Sequence, residues 1–184
     1  MPAPALVKPG SLRAEQIILF RIGEQLFALS SSSVREVRSA DSLCGGAYEV
    51  SAPGVDKVRQ FVRRGDKTLF IVSGAAHFGL SARPGVLAFV LRDTRTALLV
   101  DSIERMTSMT RLQALPLSFC HEERQWYRGL TALDQTVVPV VRPEGFLSDD
   151  ELSRLDAALP ALETLGQESV TDFEEDTGLS TELN

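Results

Sequence analysis

Residues 17–37, IILFRIGEQLFALSSSSVREV, contain two short apolar runs separated by a tight-turn signal. The runs at 17–22 and 25–29 are rich in β-branched and aromatic side chains, and Gly23 with Glu24 between them is typical of a two-residue hairpin turn. Four serines, whose hydroxyls can serve the backbone of a turn, then separate the second run from a third at 34–38. The stretch therefore predicts a β-hairpin followed by a third strand.

The same pattern recurs 69 residues further along the chain, where 89–106 can be placed over 20–37. Six apolar pairs coincide: Phe20 with Phe89, Ile22 with Leu91, Ala28 with Ala97, Leu29 with Leu98, Val34 with Ile103 and Val37 with Met106. A second pair of segments follows in the same order, with Val62-Arg63-Arg64-Gly65 before one β-type run and Trp126-Tyr127-Arg128-Gly129 before another. Two matches in the same order predict two copies of one small β unit.

Further β-type runs continue to residue 141, at 58–62, 68–72, 86–92, 95–100, 103–109, 126–133 and 136–141. Short strands at this spacing predict an all-β fold with minor α, built as two small barrels. We expect one barrel centred on 17–80 and the other on 86–141, within a domain spanning 15–147. A barrel of about 60 residues buries little core alone, so the two should pack together and leave a docking groove between them.

Charge is distributed unevenly along the chain. Residues 148–184 contain eleven Asp and Glu but one Arg, whereas residues 1–147 carry 18 Lys and Arg against 14 acids. The acidic end would repel phosphate backbones, so we expect no nucleic-acid partner. No run of 18 apolar residues is present and residues 1–14 lack the apolar stretch of a signal peptide, so we expect a cytoplasmic protein without membrane insertion.

A helix is predicted at 148–165. Ser148 followed by three acids is a strong capping signal, and Leu152, Leu155 and Leu159 recur at helical spacing. Pro160 should end or kink the helix. Residues 1–14 and the acidic segment 166–184 contain too few apolar groups to fold alone, and we expect both to be disordered.

Groups suited to catalysis are few, since the chain has two histidines and two cysteines. No CxxC or HxxxH spacing is present, and neighbours such as Cys120 and His121 point to opposite faces of an extended segment. We therefore predict no enzyme activity, no catalytic residues, no metal and no cofactor, with Cys44 and Cys120 reduced. A metal- or thiol-dependent centre at Cys120 and His121 stays open as an alternative.

The order of several short motifs resembles the CheW-like domain of bacterial chemosensory systems. The segments that carry the resemblance lie within about residues 16–147: FRIGEQLFAL (20–29), VREV (34–37), RG (64–65), FGL (78–80), LLVDSI (98–103) and YRGL (127–130). The resemblance implies two five-stranded barrels arranged as pseudo-repeats. It also implies a non-enzymatic adaptor that couples the cytoplasmic tip of chemoreceptors to the CheW-like regulatory domain of a CheA-type histidine kinase.

By position, the resemblance also implies seven partner-binding residues. They are Val34 and Glu36 in the V-x-E-[IV] motif, Arg64 and Gly65 at the end of the N-L-R-G motif near the receptor groove, and Val100, Asp101 and Ile103 after the second hairpin.

The chain departs from the family pattern at two places. Val62 and Arg63 precede Arg64 where the family has Asn and Leu, and Ser73 stands near a usual Asp, with one extra residue after Gly65. These departures leave open a divergent regulator of another output, such as pili. In that alternative the helix at 148–166 covers the groove, whereas in the simpler one it packs on the first barrel as structure.

Overall fold

The computed structural model describes residues 14–81 and 85–160. As predicted, this part of the chain is mostly β. Its strands are β1 (Glu15–Ile22), β2 (Gln25–Ser30), β3 (Val34–Ser39), β4 (Tyr48–Glu49), β5 (Val58–Arg64), β6 (Lys67–Ser73), β7 (Leu87–Leu91), β8 (Thr96–Val100), β9 (Ser102–Met109), β10 (Tyr127–Leu133) and β11 (Thr136–Val141). Its helices are α1 (Ala40–Cys44), α2 (Gly74–His77), α3 (Glu123–Trp126) and α4 (Asp149–Ala157), with 3-10 turns at Ser31–Ser33 and Pro143–Gly145. Within the described ranges no helix is long and apolar enough to cross a membrane.

The described strands form two small β units that pack together, as predicted, although neither sheet is a closed barrel. One sheet has five strands in the order β10-β11-β2-β1-β9, and the other has six in the order β3-β7-β8-β6-β5-β4. The strands of residues 17–80 also do not form one sheet and those of residues 86–141 the other. After the β1–β2 hairpin the chain crosses over so that β3 pairs with β7, and after the β7–β8 hairpin β9 returns to pair with β1.

The repeat extends through the whole fold at the 69-residue offset. Val58 and Tyr127, the first residues of β5 and β10, are 69 positions apart, and so are Lys67 and Thr136, which begin β6 and β11. The sequence match of Arg64-Gly65 with Arg128-Gly129 was therefore misaligned by five positions. Arg64 ends β5, whereas Arg128 is the second residue of β10.

Most strands bury side chains on both faces, which explains their continuous apolar runs. On β1, Phe20 and its alternating neighbours enter a central core between the sheets, while Ile17 and Leu19 enter a second core lined by the five-stranded sheet. On β7, Phe89 likewise faces the central core and Val90 faces a third core inside the six-stranded sheet. The two sheets thus share one core, and each curls around another of its own.

Contacts between distant strands show how far each sheet curls. An ion pair joins Glu36 on β3 to Arg64 on β5, although three strands separate β3 from β5 in the sheet order. In the five-stranded sheet, the chain beyond β9 reaches β10 through two backbone hydrogen bonds between Gln113 and Leu130, of 2.7 and 2.9 Å. A Cβ at Gly129 would overlap the Gln113 carbonyl oxygen, so this approach requires glycine.

His77 lies in an aromatic cluster at the junction of the two sheets. Its ring centroid is 4.7 Å from that of Trp126 and 5.1 Å from that of Phe146, the residue 69 positions further on. Only 5% of His77 is exposed, and its Nε2 has no hydrogen-bond partner among the described residues. Burial, with a smaller effect of the nearby Lys57, lowers the pKa of His77 to about 3, so the ring is neutral at physiological pH.

His77→Phe should change the free energy of unfolding by no more than about 1 kcal/mol, because it removes both the buried Nε2 without a partner and the Nδ1 that lies 3.3 Å from Lys57 Nζ. Phe146→His is the matched control at the equivalent position and should lower it by about 1–3 kcal/mol. Urea unfolding of the three proteins at pH 7 measures both changes. A loss well above 1 kcal/mol in His77→Phe would show that the imidazole itself is required.

Stability should also fall on acidification through His77. The ring binds a proton near pH 6.5 in the unfolded chain but only near pH 3 in the folded chain. The free energy of unfolding is therefore not reduced by this ring above pH 6.5, and it decreases as the pH falls toward 3. Urea unfolding at pH 7 and pH 4.5 should therefore show a larger loss for the wild-type protein than for His77→Phe. Equal losses in the two proteins would contradict this assignment.

Candidate interaction surface

β3 is an edge strand of the six-stranded sheet and carries a charged patch. Arg64 donates to the Glu36 carboxylate, and this hydrogen bond is the main reason that the pKa of Glu36 is lowered, with smaller effects of Arg38 and Arg35. Val37, on the same strand, is 42% exposed. We call these five residues the β3 patch.

Gly65 fixes where β5 ends beside this patch. Its φ of +62° lies in the left-handed region that glycine adopts without strain. The turn it makes leads directly into β6 at Lys67. Three of the seven predicted partner-binding residues, Glu36, Arg64 and Gly65, are thereby brought to one edge of the six-stranded sheet.

A groove of about 780 Å³ opens beside the patch. Its walls are the β5–β6 turn, the β7–β8 turn and the chain from Pro143 to Leu152. Arg35 and Arg64 contribute to its rim, and Leu91 and Leu147 to its apolar lining. An apolar floor with a charged rim suits a peptide or helix better than a polar metabolite.

α4 forms one side of the groove and is anchored in the fold. Its start has a complete capping box, in which Glu151 N–H donates to Ser148 Oγ at 3.2 Å and Ser148 N–H donates to the Glu151 carboxylate at 2.9 Å. Leu155 is fully buried in the central core. Arg95 holds Asp156 through two hydrogen bonds of 2.7 and 2.6 Å, which lower the pKa of Asp156.

This anchoring favours the structural role for the helix over a removable cover. α4 ends at Ala157, before Pro160, as the capping and proline signals predict. Residues 161–165 of the predicted helix lie outside the described residues, and so do 1–13 and 166–184, for which disorder was predicted.

Two further predicted residues, Asp101 and Ile103, lie beside or on β9, an edge strand of the other sheet. The Asp101 carboxylate accepts the Gly23 N–H at 2.6 Å, and Asp101 N–H donates to the Arg21 carbonyl at 2.9 Å, so Asp101 fixes the β1–β2 turn. Ile103 is 37% exposed. Met106, which was not among the predicted residues, is 62% exposed on the same strand.

Two of the seven residues belong to the core. Val34 is 8% exposed and Val100 is fully buried, and both pack in the central core. Any effect they have on a partner passes through the strands they anchor, and their assignment to a partner site stays a prediction. Met106 and Val37 are 69 positions apart and were paired in the sequence repeat. Apolar residues at equivalent outward positions of two edge strands were the signal that could have identified them.

The groups considered for chemistry have local roles. Cys120 and His121 are exposed, Cys120 N–H donates to the Glu123 carboxylate at 2.8 Å, and Glu123 N–H donates to Cys120 Sγ at 3.4 Å. This reciprocal pair closes the turn that precedes α3, and its hydrogen bonds lower the pKa of Glu123. Across 14–81 and 85–160, no cluster of three or more His, Cys, Asp or Glu residues could hold a metal ion.

Two exposed edge strands and a groove around a mostly β core define the class of protein-interaction modules. The family model of the CheW-like domain matches residues 16–151. A relative named probable chemotaxis protein CheW, from Rhizobium etli, is 28% identical over 144 residues, which cover 74% of this chain and 89% of the relative. The crystal structure of scaffolding protein TtCheW from Thermoanaerobacter tengcongensis has a TM-score of 0.59 at 13% identity, covers 80% of this chain and 96% of its own, and shows the shared fold.

The chain belongs to the CheW-like domain family. The motif order predicted this family.

The Glu36–Arg64 pair should contribute little to stability. The Glu36 side chain is 39% exposed and the Arg64 side chain 34% exposed. A double-mutant cycle of Glu36→Gln and Arg64→Gln should therefore give a coupling energy of at most about 1 kcal/mol. Urea unfolding of the four proteins at low and high salt measures this energy and its screening. A coupling above about 2 kcal/mol that persists at high salt would show that the pair is structural.

Proposed function

We propose that this protein is a non-enzymatic adaptor that couples chemoreceptors to a CheA-type histidine kinase in the cytoplasm. The observation that carries the proposal is that β3 and β9, on different sheets of a CheW-like domain, each stand at one end of their sheet. Edge strands offer unpaired backbone groups to another chain, and two such edges allow one molecule to bind two partners at once. The family and its scaffold neighbour point to a non-catalytic adaptor.

The predicted partner residues fall into two groups that suit this role. Glu36, Arg64 and Gly65 are proposed to contribute to a site at the β3 edge and the adjoining groove. Asp101 and Ile103 are proposed to contribute to a second site near β9. By resemblance, the kinase regulatory domain is itself CheW-like, so it has edge strands of its own with which these could pair.

Two of the departures from the family motifs, Ser73 and Val62, have structural roles in the fold. Ser73 Oγ accepts the Ala76 N–H at 3.2 Å as the N-cap of α2, which is a role that Asp at this position would also fill. Val62 is buried in the core inside the six-stranded sheet. A divergent regulator of another output, such as pili, would use the same edges with different partners, and the identity of the kinase and receptor that bind decides between the two.

Val37→Lys and Met106→Lys should each weaken binding of one partner by about tenfold or more, because each places a flexible charge on an edge strand. Val137→Lys is the control, since Val137 is 61% exposed on β11, an interior strand of the five-stranded sheet. Calorimetric titration with a cognate CheA regulatory domain and a receptor tip fragment measures the effects. Absence of wild-type binding to both partners would overturn the proposed function, and equal losses in the control would overturn the assignment to the edges.

A further inference from the structure

We propose that the acidic segment 161–184 docks on the β3 patch of its own chain. The docking itself is independent of any partner. Its consequence, that the segment competes with a partner for the β3 edge, rests on the proposed function.

The β3 patch has an excess of positive charge and an exposed apolar side chain. Arg35, Arg38 and Arg64 surround the single carboxylate of Glu36, which leaves a net charge of about +2 at pH 7. Val37 is 42% exposed among them. Among the described strands, β3 pairs with β7 and stands at the end of the sheet order.

The segment has the complementary chemistry. Residues 161–184 contain seven Asp and Glu and no Lys or Arg. Four of these acids fall within VTDFEED, residues 170–176, together with Val170 and Phe173. In an extended chain, Asp172, Glu174 and Asp176 would share one face and Phe173 would lie on the other, so such a segment can pair with an edge strand while matching both the arginines and Val37.

The segment also starts close to the patch. Asp156 is held by Arg95, which lines the same groove as Arg35 and Arg64, and Pro160 follows four residues later. Extended chain covers about 3.3 Å per residue, so residues 161–169 alone could span roughly 30 Å, against a groove on the order of 10 Å across. A tether of this length gives an effective concentration of about 1 mM or more, which makes weak contacts sufficient for docking.

Two further features indicate that docking occurs on the β3 patch and not in the groove, and that the docking element is the segment and not α4. The groove lining has no net charge, because the acids Asp66, Asp93, Glu144 and Asp149 balance Arg35, Arg64, Lys67 and Arg95, whereas the β3 patch has an excess of positive charge. α4 is fixed by the buried Leu155, so the helix does not leave the fold as a removable cover. The part of the chain that can dock on the β3 patch therefore begins after Pro160.

Hydrogen exchange of the full-length protein, followed by mass spectrometry, tests the docking without any partner. In one variant, Asp172→Asn, Glu174→Gln, Glu175→Gln and Asp176→Asn remove four charges from the segment. In a second, Arg35→Gln and Arg38→Gln reduce the patch. Amides of residues 34–39 should exchange about fivefold faster or more in either variant at low salt, because an edge strand loses its cover.

The matched control, Arg111→Gln with Arg142→Gln, removes two exposed arginines outside the patch and should leave exchange at 34–39 unchanged. The segment and patch variants combined should exchange no faster than either alone. At 0.5 M NaCl the exchange rate of the wild-type protein should rise toward that of the variants, because the Debye length falls to about 4 Å. Equal exchange in all proteins, or additive effects in the combined variant, would overturn the docking.

Partner binding separates this inference from the proposed function. The four-acid variant should bind the CheA regulatory domain about three- to tenfold more tightly than the wild type, because the intramolecular competitor is weakened. If hydrogen exchange changes in the variants but the wild type does not bind the kinase domain, the proposed function is wrong and the docking is supported. Kinase binding with unaltered exchange would keep the proposed function and remove the docking.

Discussion

The structure depends on burial of the strands from both faces. Phe20 and Phe89, at equivalent positions of the two repeats, meet edge to face with ring centroids 5.3 Å apart in the central core. Their immediate neighbours, Leu19 and Val90, enter the separate cores of the two sheets. Because each hairpin supplies two cores at once, neither sheet can lose its partner without exposing the larger apolar face.

Double-sided burial also restricts where the protein can bind anything. With the faces occupied, recognition is left to strand edges, turns and the groove beside α4, which is where Val37, Arg64 and Met106 lie. These are positions at which side chains can change without disturbing packing. Partner specificity can therefore vary in this fold while the core stays the same.

Local signals in the sequence predicted local structure well. The Gly23-Glu24 hairpin, the capping of α4 at Ser148 and the 69-residue repeat all follow from residue type and spacing. Residue type and spacing did not predict which sheet β3 belongs to, because the apolar face of a strand looks the same whichever neighbour it pairs with. Arg64-Gly65 and Arg128-Gly129 were confused for a related reason, since identical dipeptides occur at opposite ends of equivalent strands.

The site was predicted less completely than the fold. Motif position directed attention to Glu36 and Arg64, whose contact depends on the curvature of the sheet and could not be predicted for residues 28 positions apart. Motif position also selected Val100, which is buried, because a motif can mark a strand without distinguishing its two faces. The exchange of β3 and β9 has a consequence for the history of the fold. In two copies of one 69-residue unit, the first hairpin of each copy joins the sheet that the later strands of the other copy form, which is the connectivity of a domain-swapped dimer joined into a single chain.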